Sequence, residues 1–435
     1  MPFALNGIAR CCLPVLLLLC AVAPAWAADA AAVDTGATAW VLVASALVLF
    51  MTLPGLALFY GGLVRARNLL SVLMHCFVIC CIVSLVWAIV GYSLAFGDGG
   101  AFIGPLDKAF LAHLGDKKLP GNLPEVVFVL FQMTFAVITP ALIIGAFPER
   151  VRFSFVVLFS LAWLLVVYLP VAHWVWGGGW AAERGAIDFA GGIVVHTTAG
   201  VSALVAAILI GPRSGFPRSL IPPHSPGMTM IGAGMLWFGW FGFNGGSALA
   251  ASAAAGTAIL ATHFAASAAA LTWTSVEWLR AGKPTSVGLV TGAVAGLATI
   301  TPASGYVGPM GAIAIGIAGG GICFFATGFV KQRLQIDDTL DVFAVHGVGG
   351  MLGSLLVAVF AAPALGGVGY AEGMDLPQQL GVQALSVLAA ALWSAVATIV
   401  LAKLIGAMVG TRVNPEQEDD GLDLAVHGER AYDHT

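Results

Sequence analysis

Two histidines, His196 and His346, lie inside strongly apolar stretches of this chain of 435 residues. A neutral imidazole offers one hydrogen-bond donor and one acceptor, and it can take up or release a proton near neutral pH. Their contexts are similar, because residues 195–200 (VHTTAG) and 345–350 (VHGVGG) share the pattern Val-His-x-x-x-Gly. An ionisable group at membrane depth is costly and most often belongs to a substrate or proton path. The matched pair predicts such a path, whereas either histidine alone is equally consistent with a hydrogen-bonded structural role.

The composition indicates which elements must hold the two rings. The chain is 59% hydrophobic and 9% charged, whereas a soluble domain has roughly 25% charged residues. This excludes a water-soluble globule and predicts an all-α polytopic membrane protein, because helices satisfy their own backbone groups in lipid. The net charge of −4 is small and argues against nucleic acid as a partner.

Apolar runs predict eleven transmembrane helices, at residues 39–63, 71–96, 125–148, 152–175, 190–211, 227–247, 252–279, 285–303, 307–330, 341–362 and 378–409. The fifth and tenth carry the two Val-His segments, and the first and sixth share a Phe-x-Gly-Gly pattern at residues 59–62 and 243–246. Five helices per repeat is an odd number, so the halves are expected to be inverted, with the eleventh helix added. Transport folds often place their site at such a repeat interface near the midplane.

The first 27 residues are predicted to be a signal peptide, with Arg10 before an apolar segment at 13–23 and a small-x-small cleavage site at 25–27. A lipoprotein anchor at Cys20 is the alternative. Cleavage leaves residues 28–409 as the membrane domain, with the N-terminus outside, and residues 410–435 as a cytoplasmic tail. The basic residues favour this orientation, because thirteen fall in predicted inner segments and four in outer ones. The thirteen are Arg65, Arg67, Arg150, Arg152, Arg213, Arg218, Arg280, Lys283, Lys331, Arg333, Lys403, Arg412 and Arg430, and the four are Lys108, Lys117, Lys118 and Arg184.

Helix geometry predicts that the two histidines meet. His196 lies eight residues after Asp188 in an outer loop, and His346 lies eight residues after Asp338 in an inner loop. Each is therefore about 12 Å from its own membrane face, within a hydrocarbon core of about 30 Å. No Cys or carboxylate stands at ligand spacing beside either ring, so no metal site or cofactor is predicted. No nucleophile–base or haem-ligand set indicates an enzyme.

Aromatic residues near the predicted outer face suggest which solute passes. Phe131 and Phe135 are one turn apart in the third helix, and Trp176 ends the fourth. Trp240, Phe243 and Ser247 lie near the outer end of the sixth helix. Aromatic faces attract cations by about 0.5–2 kcal/mol, so a cation site is one interpretation of this group. The other is the aromatic belt found at membrane interfaces.

Four long motifs are distinctive enough to compare with known families: residues 54–62 (PGLALFYGG), 188–196 (DFAGGIVVH), 239–247 (GWFGFNGGS) and 341–347 (DVFAVHG). Together with the endings at 421–423 (GLD) and 427–429 (HGE), they closely resemble the bacterial Amt branch of the ammonium transporter superfamily (Amt/Mep/Rh). The resemblance covers essentially the whole chain after the predicted signal peptide. It implies a homotrimer in the bacterial inner membrane, with one pore per subunit.

The resemblance also implies roles for individual residues. Phe135, Trp176 and Ser247 match an external ammonium recruitment site, with Phe131 as a neighbouring aromatic. Phe135 and Phe243 match a stacked gate beneath that site.

His196 and His346 match a pair that lines the pore, and Asp188 matches a carboxylate that holds the outer site in order. The tail resembles the segment through which PII-type signalling proteins close such pores.

The expected function is therefore ammonium transport, with methylammonium as a further candidate substrate. Giving up a proton at neutral pH requires about 3 kcal/mol from ammonium, whereas taking an intact ion into hydrocarbon requires more. Potassium has no neutral form, so an apolar path that passes ammonia excludes it. The alternatives are an ammonium sensor, whose known examples tend to carry an extra cytoplasmic domain, and a neutral gas channel of the Rh type.

Overall fold

The structure is a computed structural model that describes residues 33–115, 117, 119–218 and 222–432. Its long helices, in chain order, are α1 (Thr35–Leu63), α2 (Ala66–Phe96), α3 (Glu125–Ala146), α4 (Phe153–Glu183), α5 (Gly192–Ile210), α6 (Pro226–Gly246), α7 (Ala253–Ala281), α8 (Ser286–Ile300), α9 (Pro309–Arg333), α10 (Phe343–Phe360) and α11 (Leu376–Val409). Within the described ranges, nine of these helices are long and apolar enough to cross a membrane, all except α6 and α8. The prediction of an all-helical, multi-pass membrane protein is confirmed, whereas the count of eleven spans stays a prediction. The predicted signal peptide lies outside the described residues.

Close backbone contacts hold the bundle together. Helix α9 lies against α7 so tightly that a Cβ on Gly320 would be 2.5 Å from the carbonyl oxygen of Ala269. Gly316, one turn earlier, meets the backbone of Ala265 in the same way. Small residues permit this approach, which replaces the missing hydrophobic driving force between helices in lipid.

Helices α5 and α10 begin alike and cross each other. Each starts with a π-helical turn, Gly192–Thr197 in α5 and Phe343–Gly347 in α10, and each turn contains one histidine. A Cβ on Gly200 of α5 would collide with the backbone of Gly347 in α10. The missing side chain thus allows the two helices to cross at the level of the histidines. Single π-helical turns occur frequently at functional sites.

The segment after α11 covers one end of the bundle, which we name the tail face; the opposite end is the Trp176 face. Residues Pro415–Asp420 form a short helix, α12, and Asp423–His427 form a π-helical turn. The Asp423 carboxylate accepts hydrogen bonds from the backbone N–H groups of Leu70 (3.0 Å) and Ser71 (2.8 Å). It therefore caps the α-helical part of α2, which begins at Leu69 after a 3-10 turn, since the first N–H groups of an α-helix lack partners within the helix.

Candidate functional site

Three aromatic side chains form a continuous contact series at the Trp176 face. The Trp176 and Phe135 rings meet edge-on, with centroids 5.7 Å apart at 83°, and Phe131 meets Phe135 at 5.0 Å and 73°. The Trp176 indole N–H donates to the Asp188 carbonyl at 2.8 Å. Since this bond holds the indole in place, the rings are arranged before any solute arrives.

Ser247 follows the last residue of α6, one turn beyond Phe243. Its hydroxyl donates to the Phe243 carbonyl at 2.8 Å, which leaves its oxygen lone pairs free to accept from a solute. A Cβ on Gly246 would be 2.7 Å from the Phe131 ring, so the backbone next to Ser247 lies beside that ring.

Phe135 and Phe243 lie in contact beneath this series. Their centroids are 4.3 Å apart at 40°, and both side chains are fully buried. Phe243 in turn lies 6.1 Å from the His196 ring at an angle of 26°. The two phenylalanine rings therefore lie between Trp176 and His196 in the series of ring contacts.

The two histidines are in direct contact, as their spacing predicts. The His196 and His346 rings stack at 5.2 Å and 19°, with the two Nδ1 atoms 3.2 Å apart and both side chains buried. When both rings are neutral, one Nδ1 carries the hydrogen and the other accepts it. Of the two Nε2 atoms, one is then an acceptor and the other a donor. His196 Nε2 has no partner within the described chain, so it is available to a solute.

Trp240, which was expected with the aromatic residues near the outer face, lies deeper in the same series of ring contacts. It is 2% exposed, stacks on His196 at 5.5 Å and 24°, and donates its N–H to the Thr301 hydroxyl at 2.9 Å. Trp240 therefore lies beside the histidines rather than in an aromatic belt. The run Gly239–Ser247 was a signal for it, but spacing alone does not tell which face of α6 turns inward.

Two cavities adjoin the histidine pair on the side of the tail face. The first, of about 10 Å³, surrounds the histidine pair and is otherwise lined by hydrocarbon and aromatic groups, including Met51, Leu142 and Leu236. A space of this size holds about one water-sized molecule. The second, of about 240 Å³, lies at the tail face. His346 lines both.

The larger cavity is lined by polar residues that were not among the expected site residues. They include Tyr60, whose hydroxyl donates to the Leu142 carbonyl at 3.0 Å, and the ion pair of Lys331 with Asp341 at 2.7 Å. The Phe-Tyr-Gly-Gly and Asp-Val-Phe motifs that contain Tyr60 and Asp341 were visible, but their side-chain directions were not.

Asp188 lies directly behind the aromatic series and is 6% exposed. Its carboxylate accepts four backbone N–H bonds at the start of α5, between 2.6 and 3.0 Å. Burial raises the pKa of this carboxyl group to about 6, although the four N–H donors act in the opposite direction. At neutral pH the group is ionised, and its partners in the described chain are backbone groups rather than Lys or Arg.

Three further histidines remain apart from the series. His173 bonds the carbonyls of Ala95 and Gly100, at 3.0 and 2.9 Å. His75 stacks on Phe153, and His263 lies on an exposed side of α7. Among the described residues, no three His, Cys, Asp or Glu side chains come together as a group that could hold a metal ion.

The fold and the site define a class: a multi-pass helical membrane protein in which an aromatic series leads to a buried histidine pair. The chain belongs to the Ammonium Transporter Family, which matches residues 39–432. This confirms the resemblance inferred from the motifs.

Individual relatives agree with this assignment. The chain is 48% identical to the ammonium transporter of Aquifex aeolicus, over 93% of this chain and 95% of that protein. It is 45% identical to that of Bacillus subtilis, over 91% and 98%. Among solved structures, a "Sensor Amt Protein" is similar with a TM-score of 0.85 and 35% identity, covering 90% of this chain and 98% of that one. Mep2 of Candida albicans is similar with a TM-score of 0.81 and 37% identity, covering 88% of each chain.

Proposed function

We propose that this protein transports ammonium by catching the ion at the Trp176 face, removing a proton, and passing ammonia along the two histidines. The observation that carries the proposal is the unbroken contact series from Trp176 through Phe135 and Phe243 to His196 and His346. One end of the series suits a cation, and the other end suits a neutral hydrogen-bonding solute.

Capture relies on three kinds of attraction. Trp176, Phe135 and Phe131 supply aromatic surfaces, and cation–π attraction is worth about 0.5–2 kcal/mol per contact. The Ser247 oxygen accepts a hydrogen bond from the ion. The ionised Asp188 adds a negative charge that no basic side chain balances, so it favours a cation without having to touch it.

The closed phenylalanine pair and the apolar lining select against ions. Loss of a proton from ammonium at neutral pH requires about 3 kcal/mol, from two pKa units at about 1.4 kcal/mol each. An intact monovalent cation in the hydrocarbon-lined cavity lacks most of its hydration, which requires more. Potassium meets only the second and larger barrier, so it is excluded.

The histidine pair replaces the hydrogen bonds that ammonia loses on leaving water. One Nε2 acceptor and one Nε2 donor match a solute that both donates and accepts. The same bond between the Nδ1 atoms offers a route for a proton, since exchanging the tautomers of the two rings moves a proton from one side of the pair to the other. Ammonia then enters the cavity of about 240 Å³ at the tail face, where water can protonate it again.

The proposal also includes the topology and the assembly, which the family and the sequence support. We place the Trp176 face outside and the tail face in the cytoplasm of a bacterial inner membrane, with eleven spans, an inverted five-helix repeat and residues 1–27 removed as a signal peptide. The active form is a homotrimer with one path per subunit.

The tail is proposed to receive a PII-type regulator. This proposal is supported by its docking beside the larger cavity, where Glu418 bonds Arg412 at 2.7 Å and the backbone N–H of Ser214 at 2.8 Å. Ser214 itself lines that cavity.

The test is current on a supported membrane carrying purified protein, with ammonium and potassium pulses. His196→Ala or His346→Ala is expected to abolish the ammonium current or to let potassium compete. His263→Ala is the matched control, because it removes an imidazole from an exposed part of α7 and should leave both responses unchanged. Unaltered uptake and selectivity in both site variants would refute the relay. Passage of ammonia without its proton carries no current, so ammonium uptake into vesicles is measured as well: a protein that gives neither current nor uptake would favour a sensor, and uptake that ignores ammonium but follows carbon dioxide would favour a gas channel.

A further inference from the structure

The loop between α2 and α3 exposes an apolar surface that the transport site does not use. Four large side chains within nine residues are exposed: Phe102 (65%), Ile103 (42%), Leu106 (60%) and Phe110 (46%). We name these four residues the apolar loop. Scattered exposed apolar residues are normal, but a concentration of this kind marks an interaction site.

The protein itself fixes the shape of this loop. The His173 ring bonds the carbonyls of Ala95 and Gly100, as described above, and the Trp174 indole donates to the Phe102 carbonyl at 2.8 Å. The backbone N–H of Trp180 donates to the Ala101 carbonyl at 3.0 Å. Because the backbone around Phe102 is held at several points, the exposed side chains are presented on a fixed support.

Ring contacts place the loop at the level of a lipid-facing helix surface. The Trp174 ring lies 6.5 Å from Phe102 and 5.9 Å from Trp393 of α11. Trp393 is seventeen residues after Leu376, the first residue of α11, so it lies about 26 Å along the helix from its end at the Trp176 face.

On both sides of Trp393, α11 exposes large apolar side chains, namely Leu388 (56%), Leu392 (58%), Val396 (58%) and Val400 (49%). A helix surface of this composition in a membrane protein faces acyl chains. The loop contacts the same Trp174 indole that contacts Trp393. The loop therefore lies beside these apolar side chains of α11 and not beyond the end of the helix.

We infer that the apolar loop inserts into the lipid leaflet at the Trp176 face and contacts acyl chains and the glycerol region of phospholipids. Asp107 beside it is exposed, Asp98 pairs with Lys117 at 3.4 Å, and Lys108 is buried against Glu125 at 2.7 Å. Both lysines are therefore paired within the protein, so the contact is apolar and does not require anionic headgroups. Since the loop is bonded to His173, Trp174 and Trp180 on either side of Trp176, lipid contact braces the helix end that carries the outer indole. This inference is independent of the proposed transport mechanism.

Lipid contact is tested with a fluorescent thiol label. In a chain whose native cysteines are replaced by alanine, Phe102→Cys is labelled with an environment-sensitive dye and reconstituted in nanodiscs. Lipids brominated on their acyl chains should remove most of its fluorescence relative to unbrominated lipids. Glu372→Cys is the matched control: it is exposed in the loop before α11, and its label should be unaffected by bromine and quenched by aqueous iodide.

Leu106→Cys provides a second label if the change at Phe102 disturbs folding. A label at Phe102 or Leu106 that iodide quenches and bromine does not would overturn the inference. So would a label that neither agent reaches, because protein, such as a second copy of the chain, would then cover the loop.

Discussion

The starts of α5 and α10 each place one histidine of the buried pair, but different groups stabilise the aspartate that precedes it. In each, an aspartate precedes its histidine by eight residues, and the helix opens with a π-helical turn that carries the histidine. The two rings end up stacked. Around the two aspartates, Asp188 and Asp338, the surroundings differ.

At the Trp176 face, the carboxylate is held by backbone alone. Each oxygen of Asp188 accepts two N–H bonds, from Gly191 and Gly192 on one side and from Ile193 and Val194 on the other. These are the first N–H groups of α5, which otherwise lack partners and carry the positive end of the helix dipole. The helix thus stabilises the charge without a cation.

At the tail face, each oxygen of Asp338 accepts only one N–H bond, from Val342 (3.1 Å) and Phe343 (2.8 Å). Lys331 lies nearby and pairs with Asp341 at 2.7 Å. Burial and the negative charge of Asp341 raise the pKa of Asp338 to about 7, whereas Lys331 acts to lower it.

A second charge cluster surrounds this helix start. Asp337 is bound by Arg213, whose Nη2 lies 2.9 Å from its carboxylate. The fully buried Arg150 donates to the Thr339 hydroxyl at 2.7 Å and to the Asp337 carbonyl at 2.8 Å. The guanidinium of Arg213 and burial act in opposite directions on Asp337, and the net effect is a pKa below the usual value.

The difference matches the direction of the proposed path. A carboxylate stabilised only by backbone dipoles keeps its net negative charge and favours cations at the Trp176 face, whereas the paired charges at the tail face do not retain a cation. Two helix starts with the same fold therefore present different electrostatic surroundings to an arriving and a leaving solute.

The largest difference between the starts of α5 and α10 is expected in thermal stability, when one carboxylate oxygen of each aspartate is replaced by an amide NH2. Asp188→Asn places an amide NH2 against two backbone donors, whereas Asp338→Asn places it against one. Each buried donor left without an acceptor costs about 1–3 kcal/mol, so the drop in unfolding temperature should be clearly greater for Asp188→Asn. Ammonium current should also fall more strongly in that variant, because the negative charge behind Trp176 is lost. Equal losses in both variants would show that the extra N–H bonds contribute nothing.

A second, intermediate effect is a pH dependence of stability. Both carboxyl groups have raised pKa values in the folded protein, about 6 for Asp188 and about 7 for Asp338, against about 3.9 in an unfolded chain. The folded state therefore holds these protons more tightly, and the contribution to stability is complete below about pH 4 and lost as the pH rises through the folded value. Its slope approaches about 1.4 kcal/mol per pH unit for each group.

Unfolding temperatures measured from pH 4 to pH 8 should show this. The unmodified protein should lose stability with rising pH through both groups. In Asp338→Asn the part of this loss that continues to about pH 7 should be absent, and in Asp188→Asn the part that ends near pH 6 should be absent. Groups with lowered pKa values, such as Glu149, have the opposite slope but are common to all three proteins and cancel in the comparison. Indistinguishable profiles would contradict the assigned difference between the two carboxyl groups.

The sequence predicted the fold class and the meeting of the two histidines because both depend on simple regularities. Apolar length determines whether a helix can span, and eight residues at 1.5 Å each fix the depth of each ring. Phe131, Phe135, Phe243 and Trp176 were also expected near one another, and the structure brings them into contact.

The residues that sequence reasoning left out or placed at the wrong depth share one physical reason. Whether Trp240, Tyr60 and Asp341 face the site depends on the direction in which each side chain points, and that depends on helix rotation and on π-helical turns that no period of 3.6 reveals. The different stabilisation of Asp188 and Asp338 was equally invisible, because it depends on which backbone N–H groups turn toward each carboxylate.

The smallest expected effect concerns the third residue after each aspartate. Gly191 adopts a left-handed backbone with φ 116°, and Asp341 occupies the corresponding position with φ 59°. A non-glycine residue in this conformation is strained by roughly 1–2 kcal/mol, although Asp tolerates it better than most. Asp341→Gly removes the strain and also the ion pair with Lys331, and a partly exposed pair of this kind contributes about 0–1 kcal/mol. The net change in the free energy of unfolding should therefore stay within about 1 kcal/mol. Asp341→Asn keeps a side chain of the same size and loses the charge, so it should show the contribution of the ion pair alone.

Gly191→Ala is the control at the corresponding position of α5. Its Cβ would be 2.6 Å from the Val195 side chain, so it should destabilise the protein far more than either change at Asp341. A large loss from Asp341→Gly would mean that the ion pair fixes the start of α10, and the tail face would then depend on side-chain charge as strongly as the Trp176 face depends on backbone.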